Sequence, residues 1–167
     1  MGQALPKPGL RPYLPADLPM LAAIFVASIE ELTGDDYSKG QQQAWAATVD
    51  NEKAFAARLG KQLTLLGTIE GSPVGFASLK GASDLDMLYV HPAAVGQGVG
   101  TMLVDALEKL ATSRGASKLT AEVSDNAQDF FKKHGFVAQQ RNAVARGDEW
   151  LVNTTMEKKL PAKDKAQ

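Results

Sequence analysis

Residues 84–101, DLDMLYVHPAAVGQGVGT, place an apolar strand-like run, a His-Pro pair and a glycine-rich loop in immediate succession. Gly96, Gly98 and Gly100 fall within five residues, directly before a segment with helical periodicity. Glycines let the backbone approach a ligand closely, and free amides at a helix N-terminus form an anion site. The stretch therefore predicts a strand, a phosphate-binding loop and a helix in that order.

The flanking sequence predicts a mixed α/β chain. Apolar residues recur at three-and-four spacing where helices are expected, and short apolar runs between turn residues indicate strands. We expect strands over 9–14, 62–69, 73–80, 85–90 and 118–123, helices over 18–32, 42–47, 51–59 and 99–113, a short helix opening at Asp125, and a closing hairpin around 146–148. The predicted order is β-α-α-β-β-β-α-β-α-β-β, which gives a mixed, mostly antiparallel central sheet flanked by helices.

Length and composition limit the classes of protein that this chain can belong to. The 167 residues suit one domain, expected over 9–158, with an N-terminal extension (1–8) and a polar C-terminal tail (159–167). A net charge of −1 argues against a nucleic-acid partner, and the absence of cysteine excludes disulfides and thiolate chemistry. The longest apolar run, 20–29, is too short to span a bilayer. We expect a cytoplasmic protein without a membrane partner.

Two familiar phosphate loops do not match the glycine loop. A P-loop ends in Gly-Lys-Ser/Thr, whereas Thr101 follows Gly100 with no lysine between them. A dinucleotide fingerprint spaces its glycines as Gly-x-Gly-x-x-Gly directly after a strand, whereas single residues separate the glycines here. A nucleotide-binding α/β domain remains an alternative that this spacing disfavours.

Three segments together resemble the GNAT superfamily of acetyl-CoA-dependent N-acetyltransferases. LDMLYVHPAAVGQGVGTMLVDALEKLA is similar to its core motif, Gln/Arg-x-x-Gly-x-Gly/Ala after a strand. SDNAQDFFKKHGF (124–136) resembles the partner motif, and LRPYLPADLPML (10–21) resembles the opening strand and helix. The resemblance covers about residues 9–158 and implies acetyl-CoA as cofactor.

The same resemblance implies where that cofactor binds. Its pyrophosphate would lie on the loop amides, its arm would pair with strand 85–90 as an added strand, and the next helix would contact the arm. The implied cofactor-binding residues are Leu88, Val90, Val95, Gly96, Gln97, Gly98, Val99, Gly100, Thr101, Asn126 and Phe131. Val95 replaces the usual Gln or Arg, and Phe131 replaces the Tyr that serves many relatives as general acid.

Acyl transfer to an amine requires removal of a proton from that amine. Asp84 and Asp86 lie on one face of their strand by two-residue alternation and are the expected bases, with Tyr37 as a further catalytic candidate. Since Phe131 cannot donate a proton, either the acid lies elsewhere, with Tyr89, Ser124 and His134 as candidates, or none is required because a thiolate is a fairly good leaving group. Alternation places Tyr89 on the face opposite Asp86, which favours a packing role.

The acceptor is left open by the sequence. An acidic loop segment, EELTGDD (30–36), would favour a cationic amine if it lined the acceptor cleft. We expect a small-molecule or peptide amine as acceptor. We expect no metal site, because His91 has no second histidine at ligand spacing, and a homodimer is possible from the sequence. The competing interpretation is a non-catalytic acyl-CoA-binding domain of the same fold, which would bind acetyl-CoA without turnover.

Overall fold

A seven-stranded mixed sheet carries helices on both faces in the computed structural model, which describes residues 6–161. The strands are β1 Pro8–Pro12, β2 Leu63–Ile69, β3 Ser72–Lys80, β4 Asp84–Val90, β5 Lys118–Ser124, β6 Val137–Arg146 and β7 Glu149–Lys159. The helices are α1 Leu18–Leu32, α2 Lys39–Ala46, α3 Glu52–Lys61, α4 Val99–Ser113 and α5 Gln128–Lys133. The expected fold class is confirmed. The N-terminal extension and the polar tail predicted from the sequence lie mostly outside the described residues.

Most helix and strand bounds agree with the sequence pattern, and the three helical segments expected between β1 and β2 are present. The second of them, α2, starts at Lys39, three residues earlier than expected, because Ser38 and Gln41 make a capping box. Gly60 lies inside α3 and does not end it. Asp17 precedes α1 as expected, but its carboxylate bonds Arg11 and a loop amide, and does not cap the helix.

The sheet opens between β4 and β5. The strand order is β1-β2-β3-β4-β5-β7-β6, and β4 with β5 is the parallel pair in an otherwise antiparallel sheet. Only Asp84 with Thr120 and Leu85 with Ala121 are in register before the two strands separate. The remaining length of β4 therefore faces an opening, and its backbone on that side has no strand partner.

A β-bulge at Asp86 changes which side chains share a face. Leu85 and Met87 pair with successive residues of β3, so Asp86 has no partner on that strand. Leu85 packs in the core beneath α4, whereas Met87 packs in the core beneath α1. A bulge shifts the side-chain alternation by one residue. Tyr89 consequently lies on the same side as Asp86, which corrects the prediction that the two side chains face opposite ways.

Each face of the sheet has its own apolar core. On one face, α4 covers Leu79, Leu119 and Val123 with its buried stripe, which includes Leu103 and Leu107. The opposite face packs against α1 and α3. Its core contains Leu21, Ile24, Phe25, Ile29, Phe55, Leu59, Leu66, Phe76 and Met87. The two cores hold β4 from both sides while its edge toward β5 stays open.

Two glycines on the sheet fix the start of α4. A Cβ atom at Gly67 would lie 2.7 Å from Val99 Cγ1, and one at Gly75 would lie 3.0 Å from the same atom. A contact of 2.7 Å is shorter than real Cβ contacts, and one of 3.0 Å is shorter than nearly all of them, so glycine at both positions lets the first turn of α4 lie directly on β2 and β3. This contact places the glycine loop at the end of β4.

Candidate functional site

The glycine loop presents open backbone donors. Gly96 and Gly98 have φ angles of 87° and 84°, and nothing lies within 4 Å of a Cβ placed on either. The first three amides of α4 have no partner within the helix, and no side chain of residues 6–161 caps them. One expected donor differs, because the Gln97 amide already donates to the Ala94 carbonyl at 3.3 Å. The loop and helix start form an uncovered anion site.

The side chains around this loop do not close it. Val95 is 54% exposed, and the Thr101 hydroxyl lies 3.2 Å from His134 Nε2. The His134 ring packs on Phe130 with centroids 4.5 Å apart. His134 therefore lies beside the glycine loop. It does not line the cavity between β4 and β5, so the geometry does not support its alternative role as general acid.

A cavity of about 450 Å³ occupies the opening between β4 and β5. Asp84, Asp86, Leu88 and Tyr89 line it from β4. Residues of β3, β5, β6 and β7, of α2, α3 and α5, and of the loops before α2 and α5 complete the lining. A smaller pocket of about 80 Å³ shares several of these residues and adds Val90 and Asn126. The structure thus brings the β4 residues and Asn126, expected from the sequence, to one continuous cleft.

Asp86 is held by an ion pair. Its Oδ2 accepts hydrogen bonds from Arg58 Nε and Gln62 Nε2, both at 2.8 Å. Partial burial alone would raise the pKa of Asp86, but these hydrogen bonds and the charges of Arg58 and Lys80 outweigh it and lower the pKa below its ordinary value. A base for neutral pH needs the opposite shift, so this environment weakens the expected role of Asp86.

Glu122 on β5 is a cavity carboxylate that the sequence analysis did not single out. Its Oε2 accepts from Asn142 Nδ2 at 2.9 Å and from the Thr155 hydroxyl at 3.1 Å. No arginine or lysine of residues 6–161 forms an ion pair with it. Two-residue alternation along β5 would have placed it with Ser124 on the cavity side. Its hydrogen-bond partners on β6 and β7 could not be predicted, because they depend on the register in which those strands pair.

Tyr37 lines the cavity, but its hydroxyl is fully engaged. It donates to the Val152 carbonyl at 2.6 Å and accepts from the Asp125 amide at 3.0 Å. Burial raises the pKa of Tyr37. The hydroxyl therefore ties the loop before α2 to β7 and to the start of the α5 segment, and the catalytic role expected for it stays a prediction.

Phe131 packs in the core at the cavity wall. It is 4% exposed and meets the rings of Phe130 and Phe136 at centroid distances of 5.5 and 5.0 Å. A hydroxyl added to this ring would need a partner within that packing. The replacement of the expected tyrosine by phenylalanine is thus consistent with an apolar wall.

The acceptor end of the cavity carries both signs of charge. The acidic residues expected to frame it, Glu30, Glu31, Asp35 and Asp36, are exposed and do not line it. Its cationic side chains are Arg58, Lys80 and Arg146. Trp45 adds an aromatic wall. Sequence reasoning missed the three cations because α3, β3 and β6 meet only in the folded protein.

Residues 6–161 contain no cluster of three or more His, Cys, Asp or Glu side chains that could hold a metal ion. Within the same range, no helix is long and apolar enough to cross a membrane.

Comparison with known proteins places this architecture among acetyltransferases. The model of the Acetyltransferase (GNAT) domain matches residues 33–160. The uncharacterized N-acetyltransferase YafP of Escherichia coli K12 is 31% identical over 147 residues, covering 88% of this chain and 93% of that protein.

Solved structures give the same result. A GCN5-related N-acetyltransferase from Rhodopseudomonas palustris, whose name also carries the words Aminotransferase, Class-II, is 61% identical. It superposes with a TM-score of 0.92 over 96% of this chain and 100% of its own. PaiA N-acetyltransferase from Thermoplasma acidophilum, solved with coenzyme A, has a TM-score of 0.76 at 19% identity over 92% of this chain and 99% of its own, which shows a shared fold.

Proposed function

Because the chain belongs to the GNAT acetyltransferase family, we propose that it is an N-acetyltransferase that moves the acetyl group of acetyl-CoA to the amine of a small molecule or peptide. The observation that carries this proposal is the opening between β4 and β5. It joins an uncovered anion site at one end to a polar cavity at the other. A cofactor with a pyrophosphate and a long arm fits such a cleft.

The residues of the loop fit a pyrophosphate. Gly96 and Gly98 leave the space that phosphate oxygens need, and the amides of Gly98, Val99, Gly100 and Thr101 are the proposed donors. The Gln97 amide is not a proposed donor, since it is already bonded to the Ala94 carbonyl; Gln97 would instead hold the shape of the loop. The side chain of Val95 adds no charge or hydrogen bond to the site.

The free edge of β4 fits an extended arm. Leu88 and Val90 are the proposed backbone partners, because β5 has separated from β4 at this point. Asn126 and Phe131 would border the arm from the other side of the cleft, where the structure puts them on its lining. Acetyl-CoA supplies the activated acyl group as a thioester.

Removal of a proton from the amine is proposed for the cavity carboxylates. Asp84 and Asp86 are candidates from the sequence, and Glu122 is the candidate that the geometry favours. Asp86 is neutralised by Arg58, whereas the donors to Glu122 are uncharged, which leaves its negative charge uncompensated. Two carboxylates in different surroundings are suited to different tasks. We assign Asp86 to hold Arg58 and Glu122 to accept the proton.

The proposal is tested by turnover. Purified protein is mixed with acetyl-CoA and a panel of amines, with free thiol release and the mass of the acetylated amine measured together. Transfer to at least one amine, lost in Glu122→Gln with acetyl-CoA affinity unchanged, is the expected result. Binding of acetyl-CoA without transfer to any amine would instead identify the non-catalytic acyl-CoA-binding domain.

A further inference from the structure

The hydroxyl of Tyr89 donates to no acceptor within residues 6–161. It accepts a hydrogen bond from Trp45 Nε1 at 3.3 Å, which leaves its own proton free for a ligand. The ring is fixed by Phe25 and Phe76, with centroids 4.5 and 5.6 Å away. Burial raises the pKa of Tyr89, so the hydroxyl keeps its proton at neutral pH. Tyr89 is a fixed donor on the cavity wall.

Two guanidinium groups line the same cavity as this hydroxyl. Arg58 and Arg146 both line the cavity, and both are near enough to Tyr89 for their charges to lower its pKa against the effect of burial. Arg58 uses Nε for Asp86 and has no other hydrogen bond to described residues. Arg146 donates only to the carbonyl of its neighbour Ala145 at 3.0 Å, and forms no ion pair with any described carboxylate.

The cavity lining as a whole carries as many cations as carboxylates. The charges that act on Tyr89 are not balanced, because two arginines are set against the carboxylate of Asp86, which Arg58 already pairs. The phenol and the remaining nitrogens of the two guanidiniums are donors with no hydrogen-bond acceptor among the described residues. Planar guanidinium forks match a carboxylate, to which they donate paired hydrogen bonds.

From this juxtaposition we propose that Arg146, Arg58 and Tyr89 form an anion subsite in the acceptor cavity, and that the acceptor is an amine that also carries a carboxylate. The inference rests on the proposed function, because it assigns the cavity to the amine. The carboxylate end of the acceptor lies on the arginines, and its amine lies toward β4 and Glu122. Such a subsite selects amino acids over amines that lack the acid group.

The subsite is tested by binding without turnover. Isothermal titration calorimetry measures N-acetylglycine, N-acetyl-L-alanine, N-acetyl-L-methionine and N-acetyl-L-phenylalanine, each against its carboxamide, which has nearly the same shape and no charge. We expect at least one acid to bind roughly 10–100-fold more tightly than its amide, the range for a charge-assisted hydrogen bond. Equal affinities for every pair, or no binding by any acid, would overturn the subsite.

Single-residue variants test which side chains cause the preference for the acid over its carboxamide. In Arg146→Met, the Kd of the acid should come within about threefold of the Kd of its amide, while the Kd of the amide stays unchanged. Tyr89→Phe keeps the ring and should reduce the preference in part. Arg114→Met removes a cation of the same type outside the cavity, where the side chain bonds the Gly81 carbonyl, and should leave the preference intact. Full acid preference in folded Arg146→Met protein would overturn the assignment.

Turnover separates this inference from the proposed function. Acetyl transfer to amines with no preference for the free acid over its amide would remove the subsite and keep the acetyltransferase. Arg146-dependent binding of the acids with no transfer to any amine would keep the subsite and remove the transferase activity.

Discussion

The substitution Gly98→Asp tests whether the glycine loop binds the phosphates of acetyl-CoA. Gly98 directly precedes α4, has a φ of 84° and has open space where a Cβ would lie. The added carboxylate would occupy the space in front of the free amides at the start of α4. A phosphate group and a carboxylate compete for the same donors and repel each other. The protein should fold but bind acetyl-CoA poorly.

The size of the effect follows from this geometry. A Cβ at positive φ costs about 1–2 kcal/mol, which lowers the melting midpoint by roughly 2–8 °C. A negative charge about 5 Å from the phosphates adds about 1–3 kcal/mol of repulsion, depending on solvent exposure. Together with the lost donors, we expect the Kd for acetyl-CoA to rise about 100-fold or more.

Thermal melting measures both effects. At about 100 times its Kd, acetyl-CoA adds about 2.7 kcal/mol and raises the midpoint of the parent protein by roughly 5–11 °C. At the same concentration the variant should gain only about 0.4 kcal/mol, a shift of roughly 1–2 °C.

The matched control is Gly71→Asp. Gly71 has a φ of 81° and also has nothing within 4 Å of a Cβ, but it lies in the turn between β2 and β3. Gly98→Asp should lose no more stability than Gly71→Asp, because its carboxylate can accept from the free amides of α4, and only Gly98→Asp should lose the response to acetyl-CoA. A full acetyl-CoA shift in Gly98→Asp would refute the assignment of the loop.

Three further outcomes are expected. Tyr37→Phe removes two hydrogen bonds and should cost about 1–3 kcal/mol in thermal or denaturant unfolding, with kcat changed less than about threefold; a large loss of kcat at normal stability would make Tyr37 catalytic. Glu122→Gln should lower kcat about 100-fold or more, whereas Asp86→Asn should mainly raise the KM for the amine. A loss of kcat of that size in Asp86→Asn, with kcat kept in Glu122→Gln, would return the role of base to Asp86. Because the folded-state pKa of Asp86 lies below its unfolded value, its pair with Arg58 stabilises the fold above about pH 4 and is lost as pH falls through the folded-state pKa. Asp86→Asn should therefore flatten stability against pH below about pH 4, and an unchanged acid limb in urea titrations would contradict this.

The fold could be predicted from the sequence because each helix and strand is indicated by a pattern within its own segment. The stripe of α4 and the runs of β2, β3 and β4 were each readable within one element, and their bounds agree with the structure to about two residues. The glycine loop was found for the same reason. Its three glycines, the strand before it and the helix after it are contiguous, and their geometry follows from that order.

The acceptor end of the site could not be read in this way. The bulge at Asp86 results from how β3 and β4 pair, and it moves Tyr89 to the cavity face against simple alternation. The Arg58–Asp86 pair joins α3 to β4, and the contacts of Glu122 join β5 to β6 and β7. Such contacts depend on sheet order and register, for which a single sequence gives no local signal.

Hydrogen–deuterium exchange with and without acetyl-CoA is the most direct test of the site between β4 and β5. With saturating acetyl-CoA, amides of residues 96–101 and of β4 beyond the bulge should exchange more slowly, because the ligand takes the place of water on the loop and of the missing strand on β4. Exposed amides of the β2–β3 turn should not change. Protection confined to other segments, or none at saturation, would contradict the account.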